Sequence, residues 1–547
     1  MAASPFTAPA IVAVTLATVA IGVYGLRLAR TTSDFLVASR SVSPAWNAAA
    51  IGGEYLSAAS FLGVAGLILK HGVDVLWYPV GFAAGYLALL LFVAAPLRRS
   101  GAFTLPDFCE ARLRSRRLRK LATAFVIFIG LLYLVPQMQG AGLTVSTVTD
   151  APYELGALLV GAVVTANVAL GGMRSITFVQ AFQYWLKLTA LAVPAVFLAL
   201  QWQSDGRPAV TPPEGMTFVR ETTVVVEHAA TFTFPDGSTE EVRPGEALTF
   251  LAGTPVPEVS GVASTGGSDW LLPGDDSGDR GLFATYSLIL ATFLGTMGLP
   301  HVLVRFYTNP DGTAARRTTL VVLGLVGMFY LFPTLYGALG RIYTPQLLLT
   351  GQTDAVVLLL PGAVLGGGLA GQLLAALVAA GAFAAFLSSS SGLLTSVAGV
   401  ISTDVLGRGS VRDFRVGAVA AGMMALVLAL NVSGLDVSRV VGLAFAVAAS
   451  SFCPLLVLGI WWRGLTDVGA AAGILVGGGA AVTAVLVTVL GPPLSGWGGV
   501  LVAQPAAWSV PLAFSVMIAV SLGTRARAPV DVGRTMLRLH APDALRM

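Results

Sequence analysis

FLSSSSGLLTS, residues 386–396, lies in the middle of an apolar run from about Gly366 to Ile401 that carries no charged residue. About 20 apolar residues cross the hydrocarbon of a bilayer. The run therefore spans with residues to spare, and its four consecutive serines, Ser388 to Ser391, fall at membrane depth. Hydroxyls there have no water to bond and need partners inside the protein. Two arrangements satisfy that need. The serines can bond back to carbonyls one turn earlier, or let a neighbouring helix pack closely. Alternatively, adjacent hydroxyls beside backbone carbonyls make hard oxygen ligands without fixed charge, suited to a weakly held monovalent cation.

Composition extends the membrane reading to the whole chain. The 547 residues are 55% hydrophobic and 11% charged, with a mean hydropathy of +0.80, where a soluble domain is about 25% charged. The 63 glycines fit close helix packing in lipid. Cys109 falls in a basic segment and Cys453 in an apolar run, which argues against a disulfide, and no Cys-based metal motif occurs. His71, His228, His301 and His540 have no ligand spacing. The net charge of +4 reflects topology and does not imply a nucleic-acid partner.

Apolar runs long enough to span fall at about 8–28, 45–69, 75–97, 121–148, 153–171, 176–201, 281–305, 318–340, 366–403, 415–432, 437–461, 467–490 and 505–523, thirteen in all. The first has no basic stretch before it and no cleavage-like ending, so it reads as a retained helix. With the N-terminus outside, the inner segments collect Arg27, Arg30 and Arg40, the cluster from Arg98 to Lys120, Arg174, Arg305, Arg316, Arg317, Arg408, Arg412, Arg415, Arg463 and five arginines of the tail. The outer short loops keep little beyond Lys70, Arg341 and Arg439. Basic residues on short loops set orientation, which predicts a multi-pass plasma-membrane protein with a cytoplasmic C-terminus. Residues 202–280 interrupt the runs with Pro, Gly and Asp turns, and TTVVVEHAATFTF, PDGS, TEEVRP and EALTFL predict short strands in an outer, hairpin-rich cap. Residues 525–547 form a polar, basic tail.

Two runs carry breaks. The second holds Gly52-Gly53 followed by Glu54, and the seventh holds Gly295, Gly298 and Pro300, five spans later. Corresponding Gly- or Pro-interrupted helices in two halves point to a secondary transporter built from inverted repeats. Freed carbonyls at such a break can hold a cation, and freed amides an anion. Ser57 and Ser60 share a helical face just past the first break. Glu54, an acid at membrane depth, is a functional candidate by default, or else a carboxylate bonded to a neighbouring helix.

SDFLVASRSVSPAWN leading into GEYLSAASFLG, then YLVPQMQGAG from Tyr133, GGMRS at 171–175 and GTMGLPHVLVRF at 295–306 resemble the solute:sodium symporter family, and within it the cation–acetate symporter and monocarboxylate permease branch. The similarity covers roughly 33–201 and 281–460. It implies an all-α polytopic fold like that of the bacterial leucine transporter, with inverted five-helix repeats at about 45–201 and 281–461. Helix 1 and the helices of 462–524 would be additions. It also implies a sodium ion held by the carbonyls of Gly53, Leu56 and Ala385 and the hydroxyls of Ser388 and Ser389, leaving Ser390 and Ser391 to packing. Sodium is the coupling ion, and no other cofactor is implied. Many sodium-coupled members carry an Asp a few residues after the GGM motif, where this chain has Gln180. Lys187 follows in the same span, either snorkelling to the surface or placing an ammonium where the ion would sit, which keeps proton coupling open.

The substrate is expected beside both breaks, against Tyr55, Ser57 and Ser60 from one helix, Gly295 and Thr296 from the other, and Gln137. There a small carboxylate such as acetate could take amide donors. Glu54, Gln180, Lys187, His301 and Arg305 are assigned to coupling or gating. The resulting expectation is a symporter, not an enzyme, that imports a small monocarboxylate with sodium by alternating access. A proton-coupled permease is the alternative, and a transporter-like sensor a further one, disfavoured by the short tail.

Overall fold

The computed structural model describes residues 5–26, 38–149, 151–211, 215–219, 221–226, 230–259, 268–271, 278–407, 409–431, 437–492 and 494–542. Arg27, Arg30, Arg408 and parts of the 202–280 insertion, His228 among them, lie outside those residues.

Among the described residues, eleven helices are long and apolar enough to cross a membrane. The thirteen runs of the sequence map onto them because two pairs are joined. Ala59–Ser100 spans 42 residues and Tyr153–Ser204 spans 52. At 1.5 Å per residue each is far longer than the roughly 30 Å hydrocarbon layer. Tyr153–Ser204 is divided at Gly172, whose φ of 57° and ψ of −167° lie outside the helical region. The stretch Ala59–Ser100 is interrupted at Gly72 by a short 3₁₀ turn. Lipid-sized apolar surface remains exposed on several helices, including Leu16, Leu91, Val196 and Leu331. Val437–Trp461, by contrast, is almost wholly enclosed.

Both sequence breaks are real, but each sits beside its glycines. The first helix runs Pro44–Tyr55, stops at Leu56 with ψ of 83°, and resumes at Ala58. Gly52 and Gly53 are helical, so the expectation that they form the break is corrected. Their physical role is close approach: a Cβ on Gly53 would stand 2.2 Å from the carbonyl oxygen of Gln180. The second helix runs Gly278–Gly298 and restarts at Pro300–Phe306, with extended Leu299 between them. Pro300 occupies the first turn, where its missing N–H costs nothing. Gly295 stays helical, packed on Phe445.

The Leu369–Val400 helix, with the serine tract at its centre, is buried continuously from Val378 to Val400 and packs on Tyr153–Ser204, Arg116–Thr149 and Pro44–Tyr55. This places the tract against the first break. In the insertion the predicted strands form: Thr222–Val225 pairs antiparallel with Ala247–Phe250, and Ala230–Thr233 with both Thr239–Val242 and Glu258–Val259. The PDGS segment closes a hairpin in which the Asp236 carboxylate accepts from the Ser238 amide at 2.9 Å. The hydrogen bond from the Ser238 hydroxyl at 2.6 Å, followed by that from its amide, holds the Asp236 carboxyl below the usual range. Cys109 and Cys453 are buried and free, Cys109 within the short helix Leu105–Leu113.

Candidate cation and substrate site

Ending a helix at Leu56 leaves Ser57 outside it, so the Gly53 carbonyl loses its intrahelical donor. That oxygen and the Leu56 carbonyl turn toward the serine tract, and the side chain of Lys187 lies between them. Its Nζ donates to Gly53 O at 2.5 Å, to Leu56 O at 2.6 Å and to Ser388 Oγ at 3.0 Å. Lys187 is fully buried. An ammonium has three N–H bonds and no acceptor, and three oxygens meet it here. Lys187 does not snorkel. Its amino group bonds three of the five groups expected to ligate sodium, so in this structure the Lys187 nitrogen occupies the predicted cation position.

The remaining members of the set are next to it. Ser388 Oγ also lies 2.6 Å from Gly53 O and 3.1 Å from Ala385 O. Ser389 Oγ donates to the Glu54 carbonyl at 2.6 Å. Ser391 bonds back to Leu387 O, while Ser390 Oγ is buried without a partner. The tract thus includes a hydroxyl bonded back along its own helix and two that reach carbonyls of the broken helix.

Beside the Lys187 nitrogen lies a buried ion pair. Arg305 Nε donates to Glu54 Oε2 at 2.6 Å, Nη1 donates to Thr177 Oγ1 at 2.9 Å, and Nη2 donates to Gln180 Oε1. Gln180 Nε2 in turn donates to the Ser388 carbonyl at 2.7 Å. An amide can serve a guanidinium on one side and a carbonyl on the other; a carboxylate, being acceptor-only, could not. Gln180 is therefore the residue type this bridge requires. Glu54, Gln180, Arg305 and Lys187, singled out separately in the sequence, form one connected network. His301 lies one turn before Arg305 but points elsewhere, edge-on to the Tyr133 ring at 5.3 Å.

The expected substrate residues surround the same break. Tyr55 OH and Thr296 Oγ1 are 2.8 Å apart, joining the two broken helices. Ser57 Oγ accepts from Tyr133 OH at 3.1 Å, Ser60 Oγ meets Tyr330 OH at 2.7 Å, and Gln137 Oε1 accepts from the Ala58 amide at 2.9 Å. Gln137 thus caps the restarted helix. Aromatic rings enclose the cluster: Tyr55 packs on Tyr86 at 4.8 Å and Phe82 at 5.5 Å, and Phe445 packs on Phe82 at 5.1 Å. Tyr86 OH is buried with no hydrogen-bond partner. Sequence reasoning missed Tyr86, Tyr330 and Thr177. Tyr133 stood inside the quoted YLVPQMQGAG motif, but single polar-tipped residues in apolar runs carry no signal of what they face.

Comparison with known proteins matches this architecture. The model of the sodium:solute symporter family aligns with residues 35–205 and 256–477. The chain belongs to the sodium:solute symporter family. It is 32% identical over 521 residues to the monocarboxylic acid transporter of Corynebacterium glutamicum, covering 89% of this chain and 86% of that one. It is 29% identical over 520 residues to the uncharacterized symporter YwcA of Bacillus subtilis, covering 92% and 90%. Among solved structures, the substrate-bound outward-open state of a Na+-coupled sialic acid symporter aligns with a TM-score of 0.64 and 14% identity, over 94% of this chain and 98% of the other. The closed conformation of Mhp1, a nucleobase-cation-symport-1 family transporter with bromovinylhydantoin bound, gives 0.54 and 15%, over 92% and 98%. The membrane part of the fold is thus all-α and polytopic, with the inverted five-helix repeats of the leucine transporter and a small stranded insertion, and the family's members are membrane transporters, not enzymes.

Proposed function

We propose that this symporter carries a small monocarboxylate inward together with a proton, and that Lys187 holds the proton. The observation that carries this reading is the buried Lys187 nitrogen seated on Gly53 O, Leu56 O and Ser388 Oγ. With Lys187 ionised, the buried network counts two cations, Lys187 and Arg305, against one carboxylate, Glu54. An unmatched charge at membrane depth is costly. A bound monocarboxylate, docked among Tyr55, Ser57, Ser60, Gly295, Thr296 and Gln137, would balance it. Without the proton, the network is already neutral and the anion has no counter-charge. Proton and anion therefore favour each other's binding, which is the thermodynamic requirement for symport. The family's description and the sodium-coupled structural relative favour a second driver, sodium, on the same oxygens; Lys187 would have to leave for it to bind.

The monocarboxylic acid transporter among the relatives supports the substrate class. The distribution of arginines supports a plasma-membrane orientation with the N-terminus outside, the 202–280 insertion outside and the C-terminal tail in the cytoplasm. The decisive experiment is uptake of labelled acetate and pyruvate into proteoliposomes, with proton and sodium gradients imposed separately and protein-free vesicles subtracted. Pyruvate matters because less of it exists as the neutral, permeant acid. Accumulation driven by an inward proton gradient alone supports the reading. Accumulation that follows only the sodium gradient defeats it.

A further inference from the structure

A second charged site lies far along the chain from the transport network, between the C-terminal helix and the ends of the helices it packs against. The helix Val532–His540 buries Met536 and Leu539 on one side. Its end is pinned where His540 Nε2 meets the Ile460 carbonyl at 2.9 Å and the His540 ring packs on Trp461 at 4.7 Å. Its exposed side presents Arg534 and Arg538, four residues apart, to a cavity of about 900 Å³. Arg40, Arg98, Arg99 and Arg114 line the cavity as well, and among the described residues Asp531 is the one acidic lining residue.

Local contacts hold these guanidinia in place. Arg98 Nη2 donates to the Pro310 carbonyl at 2.5 Å and Arg40 Nη2 to the Gly101 carbonyl at 2.8 Å. Arg40 also lies over the Phe103 ring, 5.0 Å from its centre. Arg114 pairs with Asp531. Gly101, at φ of 79°, leaves room for Arg538: a Cβ there would stand 2.5 Å from the Arg538 guanidinium. Arg534 and Arg538 are exposed on the cavity side of their helix, and an anion of several charges would match their guanidinia across the cavity. Arg, with its planar fork of donors, matches phosphate oxygens two at a time. A cavity of this size takes a nucleotide-sized ligand or a lipid headgroup.

We infer that this arginine-lined cavity, closed on one side by the C-terminal helix, binds a polyanion bearing phosphate groups, either a soluble phosphate compound or the headgroup of an anionic phospholipid. The test uses the purified full-length protein. Calorimetric titration with inorganic tripolyphosphate and with ATP forms the soluble arm. Titration in phosphatidylcholine nanodiscs with and without cardiolipin forms the lipid arm. Each is repeated with the double variant Arg534→Ala/Arg538→Ala, whose side chains are exposed. Saturable binding in either arm that weakens at least tenfold in the double variant, at an unchanged melting temperature, supports the site and names its source. Three results overturn it: no saturable binding in both arms, equal affinity in the variant, or equal displacement by sodium sulfate at matched ionic strength, which would reduce the effect to screening. None of these readouts depends on the coupling ion of transport.

Discussion

Replacing Lys187 by Met tests the coupling scheme at its centre. Met keeps the length and apolar stem of the side chain but removes all three N–H donors. Gly53 O retains Ser388 Oγ as a donor, whereas Leu56 O loses the donor it has from Lys187. An unsatisfied buried carbonyl costs about 1–3 kcal/mol, but the variant also removes a buried ammonium, so the two effects oppose each other. Folding stability should therefore change by less than about 2 kcal/mol, and the protein should still be recovered. Transport should change far more. One proton per carboxylate makes the cycle electroneutral, and one pH unit supplies about 1.4 kcal/mol, enough for up to about tenfold accumulation. The Lys187→Met protein should lose that accumulation, and, with no counter-charge for the anion, its counterflow exchange should weaken as well. Lys187→Arg should also lose accumulation, because a guanidinium does not release its proton in a protein, yet its fixed charge should preserve exchange of labelled for unlabelled substrate in counterflow, which needs no net proton movement. The wild type should also ignore an imposed membrane potential. If Lys187→Met vesicles still concentrate substrate about tenfold per pH unit, the proton does not ride on Lys187 and the reasoning fails.

Other perturbations probe the surrounding network. Arg305→Ala removes the buried ion-pair partner of Glu54, a loss of about 3–5 kcal/mol, visible as a large drop in melting temperature that Glu54→Gln should partly restore in the double variant. Gly53→Ala forces a methyl group against the Gln180 carbonyl, costing about 1–3 kcal/mol or more; low recovery of folded protein and lost uptake are expected, and near-normal activity would show the helices are free to separate there. Tyr86→Phe deletes a hydroxyl that bonds nothing in this structure, so stability should stay within about 0.5 kcal/mol. If that hydroxyl serves substrate, the KM for the carboxylate rises severalfold, and an unchanged KM removes Tyr86 from the site. Ser389→Ala removes the donor to the Glu54 carbonyl and should slow proton-driven uptake severalfold without altering its pH dependence, as initial rates would show.

How far these expectations could be read in advance differs between backbone and side chains. The strand segments around PDGS were legible because alternation and turn residues act within a few positions. The two breaks were legible as neighbourhoods but not as residues. Gly52 and Gly53 signal both flexibility and close packing, and only the helix lying against them shows that packing prevailed, which moved the break to Leu56. The same ambiguity applies to Lys187: a cation near an apolar run fits a snorkelling stem as well as a buried ammonium.

The amino-acid sequence alone determined the membrane class, the number of spanning runs, the broken helices and the family, because hydropathy, length and local motifs act through short-range physics. Tertiary structure decided that the Gly53 and Leu56 carbonyls meet Lys187, more than 130 residues away, and that Glu54 meets Arg305 across an even longer interval. Pairing of buried charges depends on which helix faces which, and at membrane depth the cost of an unpartnered charge makes that pairing obligatory while leaving no trace in the spacing of the residues that form it.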